Sequence, residues 1–298
     1  MAFAHYRVPL GRMGTRFGGA RVGNPLLEVD SLSKRFGGII ASDGIQFAVQ
    51  ERELLAIIGP NGAGKTTLIG QLAGEIKSDS GRIRFAGRDI TTLPTHRRST
   101  LGLARSFQIT SLFLDFTALD NVALAVQAHA GHSFRFWRNA RREPKLREPA
   151  LAALKHVGLA SRADILASKL SHGEHRQLEI AMVLAAEPRL LLLDEPMAGL
   201  GVEESARMLA LLRELKGRMT ILLVEHDMEA VFVLADRIIV LAEGRVIAAD
   251  VPEAIRANAE VRRAYLGEQD GVVVAAAEMQ EHHSLESADR EIQREPSR

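Results

Sequence analysis

The 298-residue sequence contains no cysteine. That excludes a disulfide framework, a thiolate nucleophile and a cysteine-ligated zinc site, and it fits a reducing compartment. Net charge is scarce as well. The 38 Lys and Arg residues stand against 37 Asp and Glu, leaving +1, a balance with no chain-wide signal for nucleic acid. Long apolar runs are also missing. A membrane-crossing helix needs about 18 consecutive apolar residues, and the best candidate, Val231 to Ala242, is split by Asp236 and Arg237. The opening stretch MAFAHYRVPLGRMGTRFGGARVG is basic but has no continuous apolar segment of the secretion-signal kind. What is plentiful is apolar content, 46% of the residues, ample for a sizeable core in one large or two smaller domains.

Residues 1 to 25 are rich in Gly and Arg, have no period, and read as a disordered extension or an extended start-site artefact. Residues 268–298 read as a polar tail, in which His282 and His283 are taken as a solvated pair rather than a metal site. Between these ends strand and helix patterns alternate. Leu54 to Ile58, Leu190 to Leu193 and Thr220 to Val224 are short continuous apolar runs, the pattern of strands buried on both faces. Leu68, Ile69, Leu72 and Ala73 recur at helical spacing, as do Leu209, Leu212 and Leu215 ahead of Gly217. Arg82 to Ala86 looks like a strand entering a turn at Gly87. Ile238 to Ala242, Glu243-Gly244 and Arg245 to Ala249 read as a hairpin. This alternation predicts an α/β fold with a mostly parallel sheet covered on both faces. Residues 109–169 lack clear strands and are rich in Ala, Leu and Arg. They are expected to form a helical insertion, with Asp120 or Asn121 as a cap. No internal repeat is evident.

GPNGAGKTT, from Gly59 to Thr67, follows one of the buried strands and opens a helix. That is the context of a phosphate loop of the form GxxxxGK[ST]. Its glycines let backbone N–H groups converge on a β-phosphate, Lys65 neutralises β- and γ-oxygens, and the Thr66 hydroxyl can ligate Mg²⁺. Asp194 and Glu195 close the strand at Leu190, at the carboxyl end where ligands bind in such sheets. Asp194 would hold Mg²⁺ through water, and Glu195 would orient or deprotonate an attacking water. Phosphoryl transfer needs mainly positioning and charge neutralisation, and these groups supply both. His226, after the strand at Thr220, can donate to a γ-phosphate oxygen. Gln108 can ligate Mg²⁺ or position water.

A second anion-type element sits at LSHGE. Ser171 and Gly173 give a helix start with little side-chain bulk, and free N–H groups there favour negative charge. One nucleotide-binding chain thus carries two phosphate-type elements.

The phosphate loop, Gln108, LSHGE, LLLLDEP and His226 come in the order found in ATP-binding cassette (ABC) ATPases, over residues 26 to 250, and the chain resembles that family. The resemblance implies a P-loop NTPase domain over 26–267 with an N-terminal antiparallel β subdomain and an inserted helical subdomain. It implies ATP and Mg²⁺ as ligands. Gly59, Pro60, Asn61, Gly62, Ala63, Gly64, Lys65, Thr66 and Thr67 then form Walker A, and Gln108 lies in the Q-loop. Ser171, Gly173 and Glu174 lie in the signature that meets ATP held by a second ATPase subunit, either another copy of this chain or a related ATPase. Asp194 becomes the Walker B aspartate, Glu195 the catalytic glutamate and His226 the switch histidine. Phe36 takes the adenine-stacking place where many members have Tyr, which keeps stacking without the hydroxyl. His172 replaces a common Gly, Glu174 a common Gln, and Gly201 a common Asp.

Finer likeness lies in KRFGGIIASDGI, LSHGEHRQLEIA, DEPMAGL and VRRAYLGE, which are similar to the ATPase subunits of branched-chain amino acid importers. That implies permease subunits as partners, a periplasmic binding protein acting indirectly, and a peripheral place on the cytoplasmic face of the inner membrane. The alternatives are an ATPase for urea or amide import, one for lipopolysaccharide export, and a non-transport ABC protein acting on nucleic acid or the ribosome. The long coiled coil or second cassette usual in that last class is absent, and so is an NKxD-type guanine motif. FRFWRNARR, Phe134 to Arg142, mixes aromatics with arginines. It reads as a solvated face, with permease docking, membrane-surface contact and nucleic-acid binding as other options.

Overall fold

The computed structural model describes residues 24–106, 112–129 and 143–263. Gln108, the Phe134–Arg142 patch, the His282–His283 pair, the polar tail and all but two residues of the expected N-terminal extension lie outside that range.

The chain opens with β1 (Leu27–Phe36) and β2 (Ile39–Val49), an antiparallel pair joined at Gly37-Gly38. β3 (Leu54–Ile58) leads into α1 (Lys65–Ala73). β4 (Ser80–Phe85), β5 (Arg88–Asp89), α2 (Thr95–Thr100) and β6 (Leu103–Arg105) follow. Three longer helices come next: α3 (Ala118–His129), α4 (Pro144–His156) and α5 (His172–Leu184). The chain then alternates β7 (Leu190–Asp194), α6 (Val202–Leu215), β8 (Thr220–Val224), α7 (Met228–Leu234), β9 (Arg237–Ala242) and β10 (Arg245–Asp250). Short helices α8 (Pro252–Ala257) and α9 (Ala259–Val261) end the described part.

The strands form two sheets. One is antiparallel, in the order β2-β1-β4-β5. The other runs β10-β9-β3-β8-β7-β6 and is parallel except for the β9–β10 hairpin. The apolar runs are continuous because the parallel sheet is covered on both faces. Alternate residues go to different cores: Leu191, Leu193, Ile221 and Leu223 pack with α3 to α7, while Leu190, Leu192, Leu222 and Val224 pack with α1 and the antiparallel sheet. Each such fully buried leucine contributes about 1.5–3 kcal/mol relative to an exposed one.

Between 109 and 169 the described residues contain helices α3 and α4, which pack on each other and on α5. The cap expected at Asp120 or Asn121 is not the one the helix uses. Asp120 and Asn121 lie inside the first turn of α3, and Thr117 Oγ1 accepts the Asp120 N–H at 3.1 Å. Asn121 is buried instead. Its carboxamide accepts the Phe113 N–H at 2.8 Å and donates to Phe113 O at 3.1 Å, pinning the loop ahead of the helix.

Candidate functional site

The phosphate loop is built by the end of β3 and the start of α1. Gly59 has φ +157, and a Cβ on it would lie 2.2 Å from Leu241 O; Gly64 has φ +99, and its Cβ would meet Ala41 O at 2.1 Å. Any side chain at either position would push the loop away from β9 or β2. Gly64 is also the left-handed residue that opens α1. Lys65 is buried and arches over the loop, donating to Gly59 O at 2.6 Å and Pro60 O at 3.1 Å. Burial pulls its ammonium pKa down, while Glu195 and Asp194 oppose that with their charge. Pro60, Asn61, Gly62 and Thr66 are exposed along the loop and first turn, Thr67 is half-buried and Ala63 is buried.

β8 lies between β3 and β7, so the carboxylates sit one strand away from the loop. Asp194 ends β7 with its side chain 5% exposed. Burial raises its carboxyl pKa, Arg105 opposes the rise, and Glu195 adds to it. Glu195 follows with φ +49, a left-handed conformation that costs a non-glycine residue about 1–3 kcal/mol. Its N–H donates to Val224 O at 2.8 Å, holding the turn against β8.

His226 follows β8 with its side chain 60% exposed. Beside it Glu225 is fully buried and accepts the Met197 N–H at 2.9 Å and the His226 N–H at 3.1 Å. Burial pushes the Glu225 carboxyl pKa up. This glutamate ties the segment after Glu195 to the histidine, a role sequence reasoning missed.

The second anion-type element is well formed. Ser171 caps α5: its Oγ accepts the Glu174 N–H at 3.2 Å, and Glu174 Oε2 accepts the Ser171 N–H at 2.8 Å, a capping box. Arg162 donates to Glu174 at 2.8 Å and holds its carboxyl below the usual range. Beside Ser171 and Glu174 opens a cavity of about 610 Å³, lined also by Arg162, Gln177 and Arg207. Phe36 ends β1 half-exposed, with Lys34 Nζ 5.3 Å from its ring centroid, so the ring is available for stacking.

A family model described as ABC transporter matches residues 42–198, and one described as branched-chain amino acid ATP-binding cassette transporter matches residues 245–271. The chain is 40% identical over 253 residues to the high-affinity branched-chain amino acid transport ATP-binding protein BraF of Pseudomonas aeruginosa, covering 82% of this chain and 98% of that protein. It is 38% identical, with the same coverage, to the similarly named LivG of Escherichia coli. Among solved structures, the ADP conformation of MJ1267, an ATP-binding cassette of an ABC transporter, matches with a TM-score of 0.73 at 28% identity. That match covers 83% of this chain and 100% of that one.

Proposed function

Since the chain belongs to the ABC transporter family of ATP-binding proteins, we propose that it is the ATP-hydrolysing subunit of an importer and couples ATP binding and hydrolysis to uptake of branched-chain or related amino acids. The match over residues 245–271 favours amino acid import over the export reading. The single observation that carries the chemistry is Lys65, held over the phosphate loop within electrostatic reach of both Asp194 and Glu195.

The steps follow from these positions. The loop N–H groups from Gly59 to Thr67 cradle the phosphates, and Lys65 moves its ammonium from the Gly59 and Pro60 carbonyls to β- and γ-oxygens. Phe36 stacks on adenine. Thr66 and Asp194 supply hard oxygens and fit Mg²⁺. That ion is usually held by one or two protein oxygens with phosphates completing its shell, and no cluster of three or more acidic or His ligands exists among the described residues. When bound, it neutralises charge on the phosphates. Glu195 accepts a proton from the water that attacks the γ-phosphorus. The bond to the bridging oxygen breaks, and ADP leaves with the electron pair. His226 donates to a γ-oxygen, held in place by Glu225. Gln108, outside the described residues, would ligate Mg²⁺ or position the attacking water.

Ser171, Gly173 and Glu174 face ATP held by a second ATPase subunit. Residues 26–267 form the ATPase unit, with 109–169 as its helical subdomain. No described helix is long and apolar enough to cross a membrane. The chain sits peripherally on the cytoplasmic face of the inner membrane against permease subunits, a periplasmic binding protein acts indirectly, and nucleic acid has no part. Glu195→Gln tests the chemistry: ATP binding stays, and turnover drops by about 10²–10⁴-fold, the usual contribution of a general base. Turnover at the parent rate would overturn the assignment.

A further inference from the structure

After the capping box of α5 is complete, three donors remain at its N-terminus: the Ser171 hydroxyl proton and the His172 and Gly173 N–H groups. One oxygen takes the first and the last. Glu204 Oε1 accepts from Ser171 Oγ at 3.1 Å and from Gly173 N at 3.1 Å. Glu204 lies in the first turn of α6, and its Oε2 accepts the Gly201 N–H at 3.4 Å. A Cβ on Gly173 would lie 2.5 Å from Glu204's carboxyl carbon and Oε1. Gly173 therefore leaves room for an anion's oxygen, and a carboxylate from the same chain fills it.

We propose that Glu204 is an internal competitor. Glu204 holds two donors that the γ-phosphate of ATP on a second copy of this chain must take, so ATP-driven pairing requires Glu204 to swing away. The proposal rests on the reading that Ser171 to Glu174 face a partner's ATP. What it adds is the present occupant of those donors and the consequence of its being there.

A carboxylate oxygen and a phosphate oxygen are equivalent acceptors at a helix N-terminus, and the two anions cannot share one pair of donors. The Gly201 N–H, then Ser171 and Gly173, hold the Glu204 carboxyl pKa below its usual range, so the competitor is charged at neutral pH. Glu204 is only half-buried, so its carboxylate can exchange these donors for water. Glu204 therefore raises the ATP concentration at which two chains close. It also links the segment after Glu195, through Gly201, to the signature of the same chain. A simple brace between α5 and α6 forecasts differently: removing it would loosen the packing and would not ease pairing.

The test uses the full chain carrying Glu195→Gln, so that ATP is not consumed, with light scattering followed against ATP concentration. Adding Glu204→Gln should lower the ATP concentration for half-maximal pairing about tenfold, the equivalent of one charge-assisted contact. Glu204→Asp keeps the charge at the start of α6 but shortens its reach, and should lower it as well. Affinity of the single chain for a fluorescent ATP analogue should stay the same in every variant. An unchanged or higher ATP requirement in both Glu204 variants would overturn the competitor role alone. Ser171→Arg separates the two readings, since it should abolish pairing. Normal pairing with that change would overturn the signature reading and this proposal together, and no pairing of the Glu195→Gln chain at any ATP concentration would overturn this proposal, which needs a second copy of the chain.

Discussion

Arg105 Nη2 donates to Asp194 Oδ2 at 2.9 Å, and the two side chains are 9% and 5% exposed. Arg105 Nη1 reaches Glu75, just past the end of α1. One guanidinium at the end of β6 thus joins the phosphate-loop helix to the carboxylate that ends β7. Burial works against the Asp194 carboxylate, and Arg105 opposes that effect with its charge and its hydrogen bond.

Removing one partner of a buried ion pair leaves the other charge uncompensated, at a cost of about 3–5 kcal/mol. Arg105→Leu should lose stability on that scale in urea unfolding. Asp194→Asn removes the charge that Arg105 compensates, so the double variant should be clearly less destabilised than the sum of the two single changes. Strict additivity would show that the pair contributes no coupling.

The parallel sheet and the phosphate loop were legible because their signals are local. A run such as LLAII followed by GPNGAGKTT needs only its neighbours to be understood. The residues that orient the site were not legible. Arg105 meets Asp194 across 89 residues, Glu225 meets Met197 across 28, and Glu204 meets Ser171 across 33. Each is a single charged residue at an element end, a pattern shared with ordinary exposed turns until the fold supplies its partner. The start of α3 shows the same limit on a smaller scale. Asp120 and Asn121 are both good cap types, yet the helix begins three residues earlier, where Thr117 caps it, because Asn121 is needed below for the Phe113 loop.

Arg98 is the second buried guanidinium, and its work is structural. It donates to Gln71 O at 2.7 Å, Leu72 O at 2.6 Å, Leu93 O at 2.8 Å and Thr91 O at 3.0 Å. Two of these carbonyls belong to the last turn of α1, so Arg98 closes the phosphate-loop helix at the end that favours a cation. Burial lowers its pKa to about 10. Arg98→Met should leave those carbonyls unpaired and cost about 3 kcal/mol. That lowers the melting temperature by roughly 6–12 °C for a domain of this size. Arg98→Lys should recover only part of the loss, because an ammonium cannot span the same fork of acceptors. Calorimetry of the two variants checks this, and a full recovery by Lys would show that charge alone matters.

Glu179 gives a pH-dependent prediction. It sits in α5 at 2% exposure, its Oε2 accepts from Arg176 at 3.3 Å, and its Oε1 has no hydrogen-bond partner. Burial raises its carboxyl pKa above 4.5, and Arg176 offsets part of that rise. Between 4.5 and the folded value the native chain holds a proton that the unfolded chain has lost. The carboxylate therefore destabilises the fold fully above the folded pKa, and the penalty fades as pH falls through that value towards 4.5. Glu179→Gln keeps the shape and removes the charge, and should be more stable than the parent at pH near 7.5 by about 1 kcal/mol, the scale of one unpaired buried polar group. Urea unfolding at several pH values should show that advantage shrinking as the solution is acidified. A difference that stays constant with pH, or a variant less stable than the parent at neutral pH, would mean that Arg176 fully compensates the buried charge.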